Sequence, residues 1–182
     1  MGGGKNMNIT PDPKNDMKIG NTQCTMTYTS SQSDPKMYPT SGLSTVNATP
    51  TWYGYTWISN HINSPQYCGI LYSDIIFLEK LTFHGGDDNV DVCLKNWYVE
   101  IVDGDNNWTK ICEGLNPNSI SVLNTASINK PCYGFRIVCL DGYYTRGYKW
   151  KGFRCLTVYG EIIYSKTLYI NNNNNIYAIP NI

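Results

Sequence analysis

Apolar and polar residues alternate with a period of two through most of residues 24–164, in short runs separated by clusters of Gly, Pro, Asn, Asp and Ser. Residues 24–30 (CTMTYTS) alternate, and residues 31–42 (SQSDPKMYPTSG) supply turn formers. Strands are then expected at 52–58 (WYGYTWI), 67–72 (YCGILY), 75–84 (IIFLEKLTFH), 96–102 (NWYVEIV), 108–112 (WTKIC), 120–123, 133–140 (YGFRIVCL) and 155–163 (CLTVYGEII). Asp103, Gly104, Asp105, Asn106 and Asn107 tolerate the positive φ angles of a tight turn and close the clearest hairpin. No stretch shows a helical period. Short strands at this spacing predict an all-β sandwich or jelly roll over residues 21–165. A Gly-, Asn- and Lys-rich flexible arm (1–20) is expected before it, and an Asn-rich tail (166–182) after it, where Tyr169, Ile170, Ile176 and Tyr177 could add an edge strand. The last two long strands are expected to pair and to project the segment between them outward as a rim.

Composition removes several function classes. Acidic and basic residues number 14 each, so no global field draws nucleic acid or a membrane surface. No apolar run reaches the roughly 20 residues of a membrane helix, and the first residues, MGGGKNMNITPDPKN, lack the apolar core of a secretory signal. The 7 cysteines are scattered without a Cys-x-x-Cys pair and read as buried thiols. Together these lead us to expect the protein in the cytoplasm or in a virion. Asn6 stands where the myristoylation pattern wants Ser or Thr.

Reaction chemistry is weakly represented. No Gly-x-Ser-x-Gly elbow and no phosphate-cradling Gly loop occurs. Glu79, Glu100, Glu113 and Glu161 fall mostly on expected strands rather than across a cleft, so no enzyme activity is expected. His61 and His84, 23 residues apart, make no zinc site. No cofactor is expected; Ca²⁺ is the one ion with oxygen donors on offer, at Gly85, Gly86, Asp87, Asp88 and Asn89.

Four segments resemble the discoidin, or coagulation factor 5/8 type C, family, the galactose-binding-like β-sandwich. TYTSSQSDPKMYPTSGL (27–43) resembles its opening strand and following loop. Trp57, Ile58 and Ser59 with PQYCGILYSD (65–74) resemble its tryptophan-serine turn and next strand. NWYVEIVDGDNNWTKI (96–111) is similar to its hairpin, and CYGFRIVCL with CLTVYGEI to its closing strands. The resemblance implies a discoidin-like jelly roll that presents its ligand on loops at one end. It also implies that Ca²⁺ lacks a usual carboxylate, because Cys155 and Leu156 stand where many members carry glutamate. Intracellular members of this fold, in ciliary and ubiquitin-ligase assemblies, bind proteins rather than sugars.

The candidate ligand site is the segment DGYYTRGYKWKGFR (141–154), which crowds aromatic and basic residues together. Aromatic faces stack on sugar rings, and Arg and Lys add cation–π contacts and charge-assisted hydrogen bonds. Tyr144, Tyr148 and Trp150, with Trp52 and Tyr53, are the expected stacking surface; Arg146, Lys149 and Asn63 are the expected hydrogen-bonding groups. The competing expectation is that aromatics of this segment fold back onto the core, as Trp57 is expected to do. Two functions fit. One is a non-catalytic module that binds a glycan, or an anionic lipid headgroup, at these residues. The other is a structural or scaffold protein whose sandwich docks on partner proteins in a viral particle or an intracellular assembly.

Overall fold

A computed structural model of the chain describes residues 7–33, 35–46, 56–59, 64–85, 94–116, 122–142, 151–163, 167–170 and 176–179. Eleven strands are present among them: β1 (Met7–Asn8), β2 (Lys18–Ile19), β3 (Thr22–Tyr28), β4 (Trp57–Ile58), β5 (Gln66–His84), β6 (Leu94–Val102), β7 (Trp108–Leu115), β8 (Leu123–Gly142), β9 (Gly152–Ile163), β10 (Thr167–Ile170) and β11 (Ile176–Ile179). All pairings between these strands are antiparallel. No helix among the described residues is long and apolar enough to cross a membrane.

Two long strands, β5 and β8, build both layers of a sandwich. The first half of β5 (66–72) pairs with β3 on one side and with the second half of β8 on the other; β6 and β7 continue that layer. The second half of β5 (75–84) pairs with β9 and with the first half of β8, and β1 and β4 pair with β9. The crossover is a bulge at which six residues of β5, Leu71 to Ile76, span three of β8, Gly134 to Cys132. Here β5 is one strand where the sequence suggested two. Likewise β8 runs straight through the polar stretch 124–132, and Pro131 is tolerated because this half of β8 pairs only with β5.

The sequence carries the bulges in its phase. Ile76 and Leu78 point inward, and then Leu81 and Phe83 do, so one position is skipped between them. Glu79 fills the extra position, where the register slips against both β8 and β9. Inward residues of the two layers meet in a single core that includes Ile70, Phe83, Val99, Phe135, Ile137, Leu156 and Val158, all fully buried. The turn at 103–107 forms as expected, with Asn106 at φ 65° and the Asp103 carboxylate accepting from the Asp105 and Asn107 amides.

Because β5 and β8 each fold over, both their ends lie at one end of the sandwich. His84 pairs with Leu123, and Gln66 pairs with Cys139, close to the last residue of β8. We call this the loop end. The opposite turn end holds the bends of β5 and β8, the 103–107 turn and the end of β9.

Three expectations need correction. Residues 133–140 and 155–163 do not pair with each other. The former lie between β5 and β6, the latter against the other half of β5. Residues 7–19, expected in a flexible arm, lie on the sandwich: Ile9 is buried with its amide on the Val158 carbonyl at 2.8 Å, and buried Tyr72 donates its hydroxyl to the Ile9 carbonyl at 3.1 Å. In the tail, Tyr169 pairs with Tyr177 and Ile170 with Ile176, so β10 and β11 form their own hairpin rather than an edge of the sandwich.

Candidate functional site at the loop end

The loop end is a frame of strand termini tied to one another. Ile58 of β4 pairs with Gly152 at the start of β9, and the Ser59 amide donates to the Lys151 carbonyl at 2.9 Å. Gly142, ending β8, pairs with Leu94, whose amide donates to the Gly85 carbonyl at 2.6 Å. Gln32 donates its amide to the Ile58 carbonyl at 3.0 Å and its side chain to the Ser59 carbonyl at 3.1 Å. The connections 60–63, 86–93 and 143–150 therefore spring from adjoining anchors.

All eight sequence-predicted site residues belong to segments outside the described residues: Trp52 and Tyr53 in 47–55, Asn63 in 60–63, and Tyr144, Arg146, Tyr148, Lys149 and Trp150 in 143–150. What the structure places is their roots. The segment 47–55 leads through Thr56 into β4, and the β4–β9 pairing joins the stems of 60–63 and 143–150. His61 and residues 86–89 likewise lie outside the description.

The end of the basic-aromatic segment is not a loop. Lys151, Phe153 and Arg154 are 1%, 0% and 0% exposed. Residues 152–154 are already strand: Phe153 pairs with Trp57, and Arg154 with His84. This seats 152–154 within the second layer, and Lys151 and Arg154 each have an interaction partner. Phe153 sits in a column of four rings, with centroids 5.2 Å from Trp57 and 5.8 Å from Phe83; Phe83 in turn meets Trp97 edge-on at 5.1 Å. Trp57 is core, as expected, and its Nε1 donates to the Ser30 carbonyl at 3.0 Å.

A second support escaped the sequence. Trp97 Nε1 donates to Asn124 Oδ1 at 3.2 Å, Asn124 Nδ2 donates to the Val122 carbonyl at 2.9 Å, and Asn116 Nδ2 donates to the Leu94 carbonyl at 2.7 Å. These buried amides hold the stems of 86–93 and 117–121 together. Asparagine in a polar stretch reads as a turn former, so nothing in the pattern marked these two as buried.

Burial also sets the chemistry of the thiols. It pushes Cys139 up to about 12, opposed by the nearby Lys151 cation, and raises Cys68 well above the ordinary value. The unfolded chain ionises these thiols near 9.0, so the stability they lend is complete below pH 9 and is lost as pH rises toward their native values. We expect the two together to lower the unfolding free energy by about 2–3 kcal/mol between pH 8 and pH 10. Urea titrations at both pH values check this, and Cys139→Ala removes about 1 kcal/mol of the measured fall, to which the likewise raised Cys24 and Cys132 also contribute. A Cys139→Ala profile as steep as wild type would contradict it.

The charged groups around Arg136, Glu113 and Asp103 are each satisfied locally. On the outer face of the first layer the Arg136 guanidinium lies 4.4 Å from the Tyr67 ring and 4.1 Å from the Trp108 ring, with Nε donating to Glu100 at 2.5 Å. That cluster is closed on itself. Glu113 is held by Lys110, and the Asp103 carboxylate is occupied by its own turn. Among the described residues no three His, Cys, Asp or Glu side chains group to hold a metal.

No family model and no curated protein matches the sequence. Solved structures do. The family 32 carbohydrate-binding module of NanJ from C. perfringens, in complex with galactose, superposes with a TM-score of 0.59 at 12% identity, over 82% of this chain and 98% of that one. A family 32 module from Clostridium perfringens in complex with GalNAc-β-1,3-galactose gives 0.53 at 19%, over 74% and 94%. The F5/8 type C domain of a Bacteroides fragilis protein gives 0.55 at 13%, over 77% and 93%. The fold is the discoidin-like sandwich. In this discoidin-like chain the likeness is one of architecture, and it spans nearly the whole of each neighbour.

Proposed function

We propose that this discoidin-like sandwich is a non-catalytic carbohydrate-binding module that takes its glycan at the loop end. The observation that carries the reading is the convergence of anchors: separate connections bearing Trp52, Tyr53, Asn63 and residues 144–150 root on one hydrogen-bonded frame. Aromatic rings on such a frame supply apolar contact to the C–H face of a sugar. Arg146, Lys149 and Asn63 supply directional bonds that choose among hydroxyl patterns. A fixed scaffold beneath variable connections limits the ordering cost of binding. Two of the structural neighbours were solved with galactose-containing sugars, which supports the same ligand class here.

A glycan array probed with wild type and with Tyr148→Ala plus Trp150→Ala tests the reading. Wild type is expected to bind galactose-containing glycans, and the double variant to lose at least about tenfold in affinity. Binding to no sugar, with a stoichiometric protein retained through purification, would instead select the scaffold function. Capture by anionic vesicles alone would select a lipid headgroup.

A further inference from the structure

Beside the loop end, along the outer edge of β3, lies an open groove of about 500 Å³. Tyr28 and Tyr38 line it and are 47% and 42% exposed, among the most exposed large aromatics of the described residues. Between them the lining carries the hydroxyls of Ser31, Ser33 and Thr40 and the amide of Gln32. Each tyrosine keeps more than two fifths of its surface exposed.

The β3 edge adds backbone groups. The Cys24 amide donates to Met17 at 2.8 Å, away from β5, and the antiparallel alternation directs the N–H and C=O of Met26 and Tyr28 the same way. Among the described residues no strand pairs with that edge beyond Cys24. The facing wall is fixed. Ser41 ties it internally, its Oγ donating to the Pro35 carbonyl at 2.8 Å, and the Thr56 amide donates to the Lys36 carbonyl at 3.1 Å. Gly42 packs so closely that an added Cβ would come within 3.2 Å of Phe153 and Trp57, which seats this wall on the aromatic column.

We infer that this groove is a second sugar subsite, taking a pyranose unit further along the same glycan whose end is held by the loops. The inference rests on the carbohydrate reading above and deepens it. The chemistry is that of a pyranose: ring faces on exposed aromatics, hydroxyls on alternating donors and acceptors, and no net charge. Continuity with the loop end is given by Gln32, which lines the groove and at the same time holds the carbonyls of Ile58 and Ser59 at the root of connection 60–63. The groove therefore adjoins the root of that connection.

Calorimetry with galactose and with a tetrasaccharide ending in GalNAc-β-1,3-galactose tests it on three proteins: wild type, Tyr28→Ala plus Tyr38→Ala, and Tyr28→Phe plus Tyr38→Phe. Wild type is expected to prefer the tetrasaccharide by about tenfold. The alanine pair should lose that preference and keep galactose affinity unchanged, which also shows that it folds; the phenylalanine pair should keep both. An alanine pair that retains the full preference, or a wild type with none, overturns the subsite alone. A wild type that binds neither sugar overturns the carbohydrate reading with it.

Discussion

Replacing Phe153 with alanine should lower the unfolding free energy by about 3–5 kcal/mol, with a fall in Tm of roughly 10–15 °C. The ring is fully buried at the centre of the Trp57–Phe153–Phe83–Trp97 column, where both layers and β4 meet. Its removal leaves a void that three other rings cannot close without leaving their rotamers, so the cavity cost adds to the lost transfer energy. Phe153→Leu should cost less than half as much. Calorimetric unfolding of the two variants checks the ordering. A loss below about 1 kcal/mol for alanine would place the ring outside the shared core. Glycan affinity should fall with stability in this variant, because Phe153 is also the strand partner of Trp57 at the root of the candidate site.

Alanine at position 69 should cost at least about 3 kcal/mol, for the opposite reason. A Cβ there would lie 1.9 Å from the Phe135 carbonyl oxygen and 2.5 Å from the Arg136 Cα, so backbone rather than a flexible side chain must give way. Gly134 of β8 meets β5 in turn, its added Cβ falling 2.5 Å from the Ile70 carbonyl oxygen. The two glycines let β5 and β8 approach closely beside the point where both strands change layer. Gly69→Ala should therefore weaken the first layer and the crossover together, seen as early exchange of the β5 and β8 amides. Gly104→Ala, whose Cβ would only touch the Tyr133 ring at 3.2 Å, serves as the mild control. Equal unfolding midpoints for the two variants would show that the close crossing is not required.

Much of this architecture could be read from residue order, and the failures have identifiable causes. The 103–107 turn was legible because Asp, Gly and Asn state their own backbone geometry. The bulge at Glu79 was legible in principle, as the phase break between Ile76, Leu78 and Leu81, Phe83. That β5 and β8 are each one bent strand was not, because Ser73, Asp74 and Pro131 are turn formers locally and only pairing with distant strands overrides them. Which strands neighbour one another is set by non-local hydrogen bonds, so the expected pairing of 133–140 with 155–163 had no physical basis beyond adjacency in the chain. The sequence reads Lys151 and Arg154 as exposed because cationic side chains seldom lie inside. Their burial depends on the strand frame that begins at Gly152, which periodicity does not reveal. The candidate aromatics were nameable from sequence alone, since their density between strands is local. Their common root at one end is a property of topology.

Met7 pairs with Gly160, and Ile163 pairs with Ile75 beside the bend of β5, so the sandwich receives and releases its chain at neighbouring points on the turn end. Such closeness suits a circular permutant linked there and opened elsewhere. It also means that coupling to a carrier, a bead or a further module through either flank would leave the opposite pole facing outward and unobstructed.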